Sequence, residues 1–352
     1  MQTITVKASR TYQVHIGTGL LDRAGELSAP LFSGRRAVIV SDSNVWPLYG
    51  ARVLSSLERA GFQAEPFVFP AGEASKNPQT LLELISFLAG QALSRSDGVF
   101  ALGGGVTGDM AGLAAALYLR GIPCVQLPTS LLAVVDSSVG GKTAVDLPQG
   151  KNLMGTFTQP HLVLCDTGAL DTLPAPVLAE GWAEIIKYGM IRSPQLLRCL
   201  ERYPHGEGLE WIIAHCLAIK RDVVGEDEQD NAARQLLNFG HTIGHAIERS
   251  GNYSIYHGEG VAMGMAIMTR ACVREGLCPE ECRRVLEGLL DKFRLPKTCE
   301  VSTEQLLEGA RMDKKRRGEA ITLVEPRTLG ACALNRTDYK TLERRLEAGR
   351  AL

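Results

Sequence analysis

The sequence predicts an α/β protein in two parts, a parallel sheet covered by helices over residues 1–171 and an all-helical part over 172–352. Three observations carry this. The first half alternates short apolar, β-branched runs with helix-period segments, the rhythm of βαβ units whose crossover helices cover both faces of a parallel sheet. A glycine run, Gly103-Gly104-Gly105, stands where a strand meets a helix. Beyond Asp166 the strand rhythm stops, and the chain from there to about Glu308 reads as helical hairpins.

In chain order, residues 1–7 alternate as a strand does, and Arg36–Asp42 contains Ala37-Val38-Ile39-Val40, a strand followed by a helix near 48–60. A second run, 66–69, precedes helix-period residues 80–88. The third, 98–102, meets the glycines and opens into an alanine-rich helix to Leu119, and the fourth, 123–127, ends at Pro128-Thr129-Ser130. Thr172-Leu173-Pro174 reads as a hinge before a helix over 176–190, where Glu180, Glu184 and Lys187, at offsets of four and three, share a face. The apolar period of Leu236, Leu237, Ile243, Ala246 and Ile247 reads as another helix, which Ser250-Gly251-Asn252 stops.

Composition excludes several classes. A formal net charge of -1 gives no basic excess for nucleic acid, and the short runs Arg35-Arg36 and Lys314-Lys315-Arg316-Arg317 read as solvated faces. No apolar run is long enough to span a membrane, since 99–119 is broken by glycines and Asp109. The first residues carry no signal-peptide pattern. Nine cysteines, an odd number with no Cys-x-x-Cys pair, fit a cytoplasmic protein, and Cys278 and Cys282, which could meet on a helix, read as free buried thiols. The expectation is a cytoplasmic enzyme with no membrane or nucleic-acid partner.

Gly103-x-Gly105-x-x-Gly108 satisfies the pattern that brings backbone N–H groups to a pyrophosphate at a helix N-terminus, so the first part reads as a Rossmann-like nucleotide-binding domain. No acidic residue stands about twenty positions downstream. Asp42, ending the earlier strand, is an alternative ribose contact, and Gly72-Glu73-x-x-Lys76 is a further contact or a surface turn. Gly140-Gly141-Lys142-Thr143 is not a phosphate loop, because Asp136 occupies the first glycine position. It reads instead as a glycine-rich loop with Asp136, Lys142, Lys151 and Asn152, suited to a polar anionic ligand. In the second part, His241 and His245 are four apart and leave one helix face, the spacing of two ligands to one divalent metal. Arg234, Asn238, His241 and His245 form one polar stripe, and His257 can return to it across the turn. A carboxylate from the 176–190 helix would complete a metal-binding site.

The chain resembles the 3-dehydroquinate synthase family of sugar-phosphate cyclases, nearly end to end. The likeness rests on Gly103-Gly104-Gly105-Val106-x-Gly108-Asp109, Arg120-Gly121, Gln126-x-Pro128-Thr129, the run Asp136 to Val145, and Gly150-Lys151-Asn152. It continues through Glu184-x-x-Lys187, Asn238-x-Gly240-His241-Thr242-x-Gly244-His245-Ala246-x-Glu248, His257-Gly258-Glu259 and Asp313-Lys314-Lys315. The joint occurrence of these short blocks in order is highly specific.

The resemblance implies conversion of 3-deoxy-D-arabino-heptulosonate 7-phosphate to 3-dehydroquinate and phosphate, with catalytic NAD and zinc or cobalt, in a homodimer whose active site lies between domains. It assigns Glu184, His241 and His257 to the metal, and so gives His245 to the substrate phosphate or to proton transfer. Asp42, Asn44, Val45, Glu73, Lys76, Gly104, Gly105, Val106, Asp109, Thr129 and Ser130 match cofactor positions, joined by Lys142 and Lys151. Lys142, Lys151, Asn152, Lys187, Lys220, Arg234, Asn238, His245 and one of Lys314 or Lys315 match substrate positions, and Arg120 matches a residue that reaches the neighbouring subunit. Catalytic roles fall on Asp136, Lys142, Lys187, Asp230 and His245.

Asp230 stands where the family usually has Glu, its carboxylate retracted by one methylene; Ser130, Asp146 and Gly260 are further departures. Three alternatives stay open: a sister cyclase, for which Arg234 has no carboxylate to clamp; an NAD- and metal-dependent polyol dehydrogenase; and a nucleotide-binding regulatory protein with a decayed site.

Overall fold

The computed structural model describes residues 1–251, 255–314 and 320–350, with the backbone alone for 312–314. The chain forms two compact units, Met1–Leu173 with Lys220–Glu228, and Pro174–Ile219 with Gln229–Leu352. A single cut near 172 does not describe this, because Lys220–Glu228 packs with the first unit. There Glu228 accepts hydrogen bonds from Ser9 N at 2.7 Å and Gln159 Nε2 at 2.8 Å.

The first unit contains strands β1 (Gln2–Lys7), β2 (Thr11–Gly17), β3 (Arg36–Asp42), β4 (Gln63–Phe69), β5 (Gly98–Gly103), β6 (Cys124–Pro128), β7 (Lys142–Leu147), β8 (Gly150–Phe157) and β9 (Leu162–Asp166). Its α-helices are α1 (Ala24–Ser28), α2 (Trp46–Arg59), α3 (Pro78–Gly90) and α4 (Gly105–Leu117). Seven strands form one sheet in the order β1-β2-β9-β6-β5-β3-β4. β1 is antiparallel to β2, and every other pairing is parallel.

Successive residues of β3 point to opposite faces, and both faces are apolar. Ile39 packs with Phe100, Val53 and Leu57 on one side, whereas Val38 and Val40 pack with Leu81, Leu84 and Met110 on the other. This is why the run is continuously hydrophobic, as a strand buried on both faces must be. Pro66 fits because β4 is an edge strand, where a missing N–H breaks no ladder.

Of the glycine-rich loop expected over Asp136 to Asn152, the part from Lys142 onward is instead an antiparallel hairpin, β7–β8, with Lys142 opposite Phe157. The pairing runs on through Thr143 opposite Thr156 and Val145 opposite Met154, and Thr143, Ala144 and Val145 are buried.

The second unit contains α5 (Ala175–Arg192), α6 (Pro194–Arg202), α8 (His241–Ser250), α9 (His257–Arg274), α10 (Glu280–Lys292), α11 (Thr303–Lys314) and α12 (Tyr339–Arg350). Helix α7 (Leu209–Glu226) begins here and ends in the first unit. The unit is helical with one addition that the all-helical expectation lacks, the hairpin β10 (Ala320–Thr328) and β11 (Ala331–Asp338). Among the described residues no helix is long and apolar enough to cross a membrane.

Candidate functional site

In the second unit the helix expected across Leu236 to Ile247 is broken. A 3-10 segment, Ala233–Asn238, stops before Gly240, which is left-handed at φ 80°, and α8 starts at His241. The polar stripe Arg234, Asn238, His241 and His245 therefore spans two elements. The break has a tertiary cause: a Cβ on Gly240 would lie 2.6 Å from the Val261 carbonyl oxygen and from Met265 Cγ. One on Gly264 would lie 2.1 Å from the Gly240 oxygen. Bare backbone thus lets α8 and α9 approach until their first residues, His241 and His257, have ring centroids 5.2 Å apart.

Helix α5 brings Glu184 to the same point. Its Oε1 lies 3.5 Å from His241 Nε2 and 3.6 Å from His257 Nε2, and the three side chains offer ligand atoms within 4.8 Å of one another. Glu184 is buried, and Oε1 has no hydrogen-bond partner, while the other oxygen pairs with buried Lys187. A buried carboxylate oxygen facing two imidazole nitrogens beyond hydrogen-bond reach is costly unless positive charge lies between them. The donor set, one carboxylate and two imidazoles, suits a divalent metal with positions left open.

Both rings are held from behind. Glu248 Oε1 accepts from His257 Nδ1 at 2.9 Å, and the Phe239 carbonyl accepts from His241 Nδ1 at 3.2 Å, so each Nε2 is aimed at Glu184. Burial, then the charge of Lys187, holds His241 well below the ordinary histidine range, in the neutral form that a ligand requires. At His257 burial acts in the same direction but is outweighed by Glu184 and Glu248, which push the ring up to about 10. That position attracts positive charge.

His245 lies 5.5 Å from His241 and 5.8 Å from His257 by ring centroid, and forms a second cluster with Glu248 and His257. Arg234 is buried, and Asp230 is left-handed at φ 59°, a conformation that Asp tolerates. Asn238 ends the 3-10 segment. Of the lysine pair, Lys315 lies outside the described residues, as does the side chain of Lys314. Glu248 is the residue that the helix reading passed over; its signal was the offset of three from His245.

In the first unit the glycine turn stands at the carboxyl end of β5. Gly103 is in register with Pro128, and its carbonyl accepts from Thr129 N at 3.0 Å, which sets Thr129 and Ser130 beside the N-terminus of α4. Cβ atoms on Gly104 and Gly105 would lie 3.4 Å from Ser130 Oγ and 3.2 Å from Ser137 Oγ. Val106 follows in the first turn, where free N–H groups gather for an anion. Asp42, at the same end of β3, accepts from Asn44 N at 2.8 Å and Val45 N at 3.0 Å.

Nearby, buried Lys76 donates to Asp109 and to Asn152, each at 2.6 Å. Burial opposes charge on Lys76, but Asp109, Glu73 and Asp146 outweigh it and hold the ammonium above its usual range. Lys151 pairs with Glu73 at 3.6 Å, Lys220 pairs with Asp136, and Lys142 is exposed at the start of β7. Arg120 does not join this group. It lies past the far end of α4, left-handed at φ 64° after Leu119 at φ 51°.

Two sequence models meet along the chain, 3-dehydroquinate synthase N-terminal over residues 66–180 and 3-dehydroquinate synthase C-terminal over 181–316. The chain belongs to the 3-dehydroquinate synthase family. A 3-dehydroquinate synthase of Clostridium acetobutylicum is 41% identical over 347 residues, covering 97% of this chain and 98% of the relative. Among solved structures, 2-epi-5-epi-valiolone synthase from Streptomyces hygroscopicus subsp. jinggangensis, with NAD+ and Zn2+ bound, is 26% identical with a TM-score of 0.89, covering 98% of this chain and 97% of that one. A 2-deoxy-scyllo-inosose synthase complexed with carbaglucose-6-phosphate, NAD+ and Co2+ is 25% identical with a TM-score of 0.87, covering 99% of each. Within the 3-dehydroquinate synthase family, then, this chain carries its carboxylate and histidine cluster on α5, α8 and α9, and its glycine turn on β5.

Proposed function

We propose that the protein is a 3-dehydroquinate synthase, converting 3-deoxy-D-arabino-heptulosonate 7-phosphate to 3-dehydroquinate and phosphate, a carbon-oxygen lyase of the shikimate pathway. The single observation that carries the chemistry is the buried Oε1 of Glu184, without a hydrogen bond and facing both His241 Nε2 and His257 Nε2. These three residues would hold zinc or cobalt, which when bound acidifies a hydroxyl and polarises the ketone formed from it. The α4 N-terminus with Asp42, Asn44, Val45, Gly104, Gly105, Val106, Thr129 and Ser130 would hold NAD, which ends each turnover as it began.

The chain's own side chains position and exchange protons. Lys187 neutralises Glu184 and supplies a buried ammonium beside it. Arg234 can clamp a carboxylate with two parallel bonds, which favours a carboxylated substrate over that of a sister cyclase. His245 would hold or protonate the phosphate, and Asp230 would act in proton transfer. In the first unit Lys142, Lys151 and Asn152 supply further contacts for anionic groups, and Lys220 holds the Asp136 carboxylate in place. The wealth of anion-binding lysines argues against a polyol dehydrogenase.

The deciding experiment supplies metal, NAD and the heptulosonate phosphate, then follows released phosphate and reduced cofactor together. Stoichiometric phosphate with no accumulating NADH supports this reading. NADH without phosphate would replace it with the dehydrogenase, and folded, metal-loaded protein silent in both channels would move the search to other sugar phosphates.

We also infer a homodimer and a cytoplasmic location. Leu117 and Leu119, at the end of α4 and just past it, and Leu153 and Phe157, on β8, are exposed apolar side chains available to a second copy, and Arg120 follows Leu119 in the chain. Light scattering at the main chromatographic peak should give twice the chain mass, and a monomer there would remove this reading. Nine free cysteines suit a reducing compartment.

A further inference from the structure

One cleft lies among residues to which the reaction gives no role. It sits in the second unit between α6 and the start of α7, holds about 320 Å³, and is lined by residues including Gln195, Arg198, Arg202, His205, Glu207 and Trp211. That volume suits a small molecule.

The sequence of α6 builds one wall. Leu196, Leu197, Cys199 and Leu200 are buried, which leaves Gln195, Arg198 and Arg202, at offsets of three and four, on the other face. Two arginines four apart on one face repel each other. On α10 such charges are answered locally, Arg283 by Glu280 and Arg284 by Glu281. Arg198 and Arg202 form no ion pair or hydrogen bond among the described residues, although Glu207 lines the same cleft.

The opposite wall is braced. Trp211 stacks on His215 at 4.7 Å and 21°, and His215 Nε2 meets Ser193 Oγ at 2.8 Å. Ser193 in turn caps α6, its Oγ accepting from Leu196 N at 3.1 Å. One chain of contacts therefore ties the indole to the helix that carries both arginines.

We propose that this cleft binds a small organic anion. Arg198 and Arg202 take a carboxylate or phosphate group in parallel charge-assisted hydrogen bonds, and Trp211 with His205 meets the ligand's unsaturated body. Glu207 reduces the net charge of the wall to a single positive charge, which favours one anionic group over a polyanion such as nucleic acid.

The test is calorimetric titration of the full chain with benzoate and, separately, phenyl phosphate at constant ionic strength, with Trp emission as a second readout. Saturable one-to-one binding of either probe is expected, weakened about tenfold or more by Arg198→Gln with Arg202→Gln. The pair Arg198→Lys and Arg202→Lys keeps the charge, loses the fork and should fall between. Phosphate release and melting temperature should stay as in the parent. Tighter benzoate identifies a carboxylate ligand, and tighter phenyl phosphate a phosphorylated one. No saturable heat from either probe at millimolar concentration, or equal binding by the glutamine pair, overturns the proposal. Should the glutamine pair unfold, Arg202→Gln alone against the lysine pair decides the question.

Discussion

His257 hands its Nδ1 hydrogen to Glu248 Oε1 at 2.9 Å and so directs Nε2 at Glu184, 3.6 Å away. A carboxylate behind an imidazole fixes its orientation and raises its basicity, and its loss typically costs 10- to 100-fold in metal affinity, taken here as about 30-fold. Glu248→Ala should therefore weaken cobalt binding by roughly that factor, read from the visible bands of bound cobalt against a competing chelator. Unchanged affinity would leave Glu248 a purely structural residue.

Removing a side chain of the proposed metal cluster should do more. Glu184→Gln and His241→Ala each delete a charge or a donor from the cluster, and each should abolish stoichiometric cobalt binding while far-ultraviolet circular dichroism stays that of the parent.

Lys142 is exposed at the start of β7, so its truncation exposes no core. Lys142→Ala should lose turnover by about 100-fold or more, with melting unchanged, if the ammonium holds the reacting phosphate. A rate near that of the parent would remove Lys142 from the site.

Gly264 is where α9 meets the backbone before α8, and an added Cβ would lie 2.1 Å from the Gly240 oxygen. Gly264→Ala should cost about 1–3 kcal/mol of stability, the usual penalty of overpacking. It should also weaken metal binding, since it parts the helices whose first residues are His241 and His257. Calorimetry and the cobalt titration measure the two effects separately.

His161 gives a pH dependence. Burial, then Arg10, pushes its ring down to about 4, and its Nδ1 accepts from Cys124 N at 3.3 Å. The unfolded chain takes up this proton first, so the stability contributed is full above the ordinary histidine value of about 6.5 and is lost as pH falls toward 4. Urea unfolding of the parent should weaken across that window, and His161→Gln should weaken less steeply.

Much of the first unit is legible because its signals are local. The strand at Arg36–Asp42 is continuously apolar since helices cover both faces, and Gly103-Gly104-Gly105 marks the turn where α4 begins. The hairpin β7–β8 escaped because its pairing depends on register with residues a strand away, which glycines obscure. β10–β11 escaped because it follows a long run of helical hairpins and only the turn at Gly330 separates its strands. The break at Gly240 was illegible because its cause lies in Val261 and Met265, twenty and more residues on. The trio Glu184, His241 and His257 is what the family resemblance implies, whereas spacing alone favours His241 with His245. Helix periodicity reports faces, and it says nothing of which ring a carboxylate braces.

The exchange of Lys220–Glu228 into the first unit has a consequence for biosynthesis. The buried ammonium of Lys220 answers Asp136, and Glu228 ties down Ser9, so the first unit is incomplete until a stretch of the second has left the ribosome. A nascent chain halted after Leu173 would carry Asp136 without its lysine, and a chain being translated should remain a chaperone client until Glu228 has emerged from the ribosome.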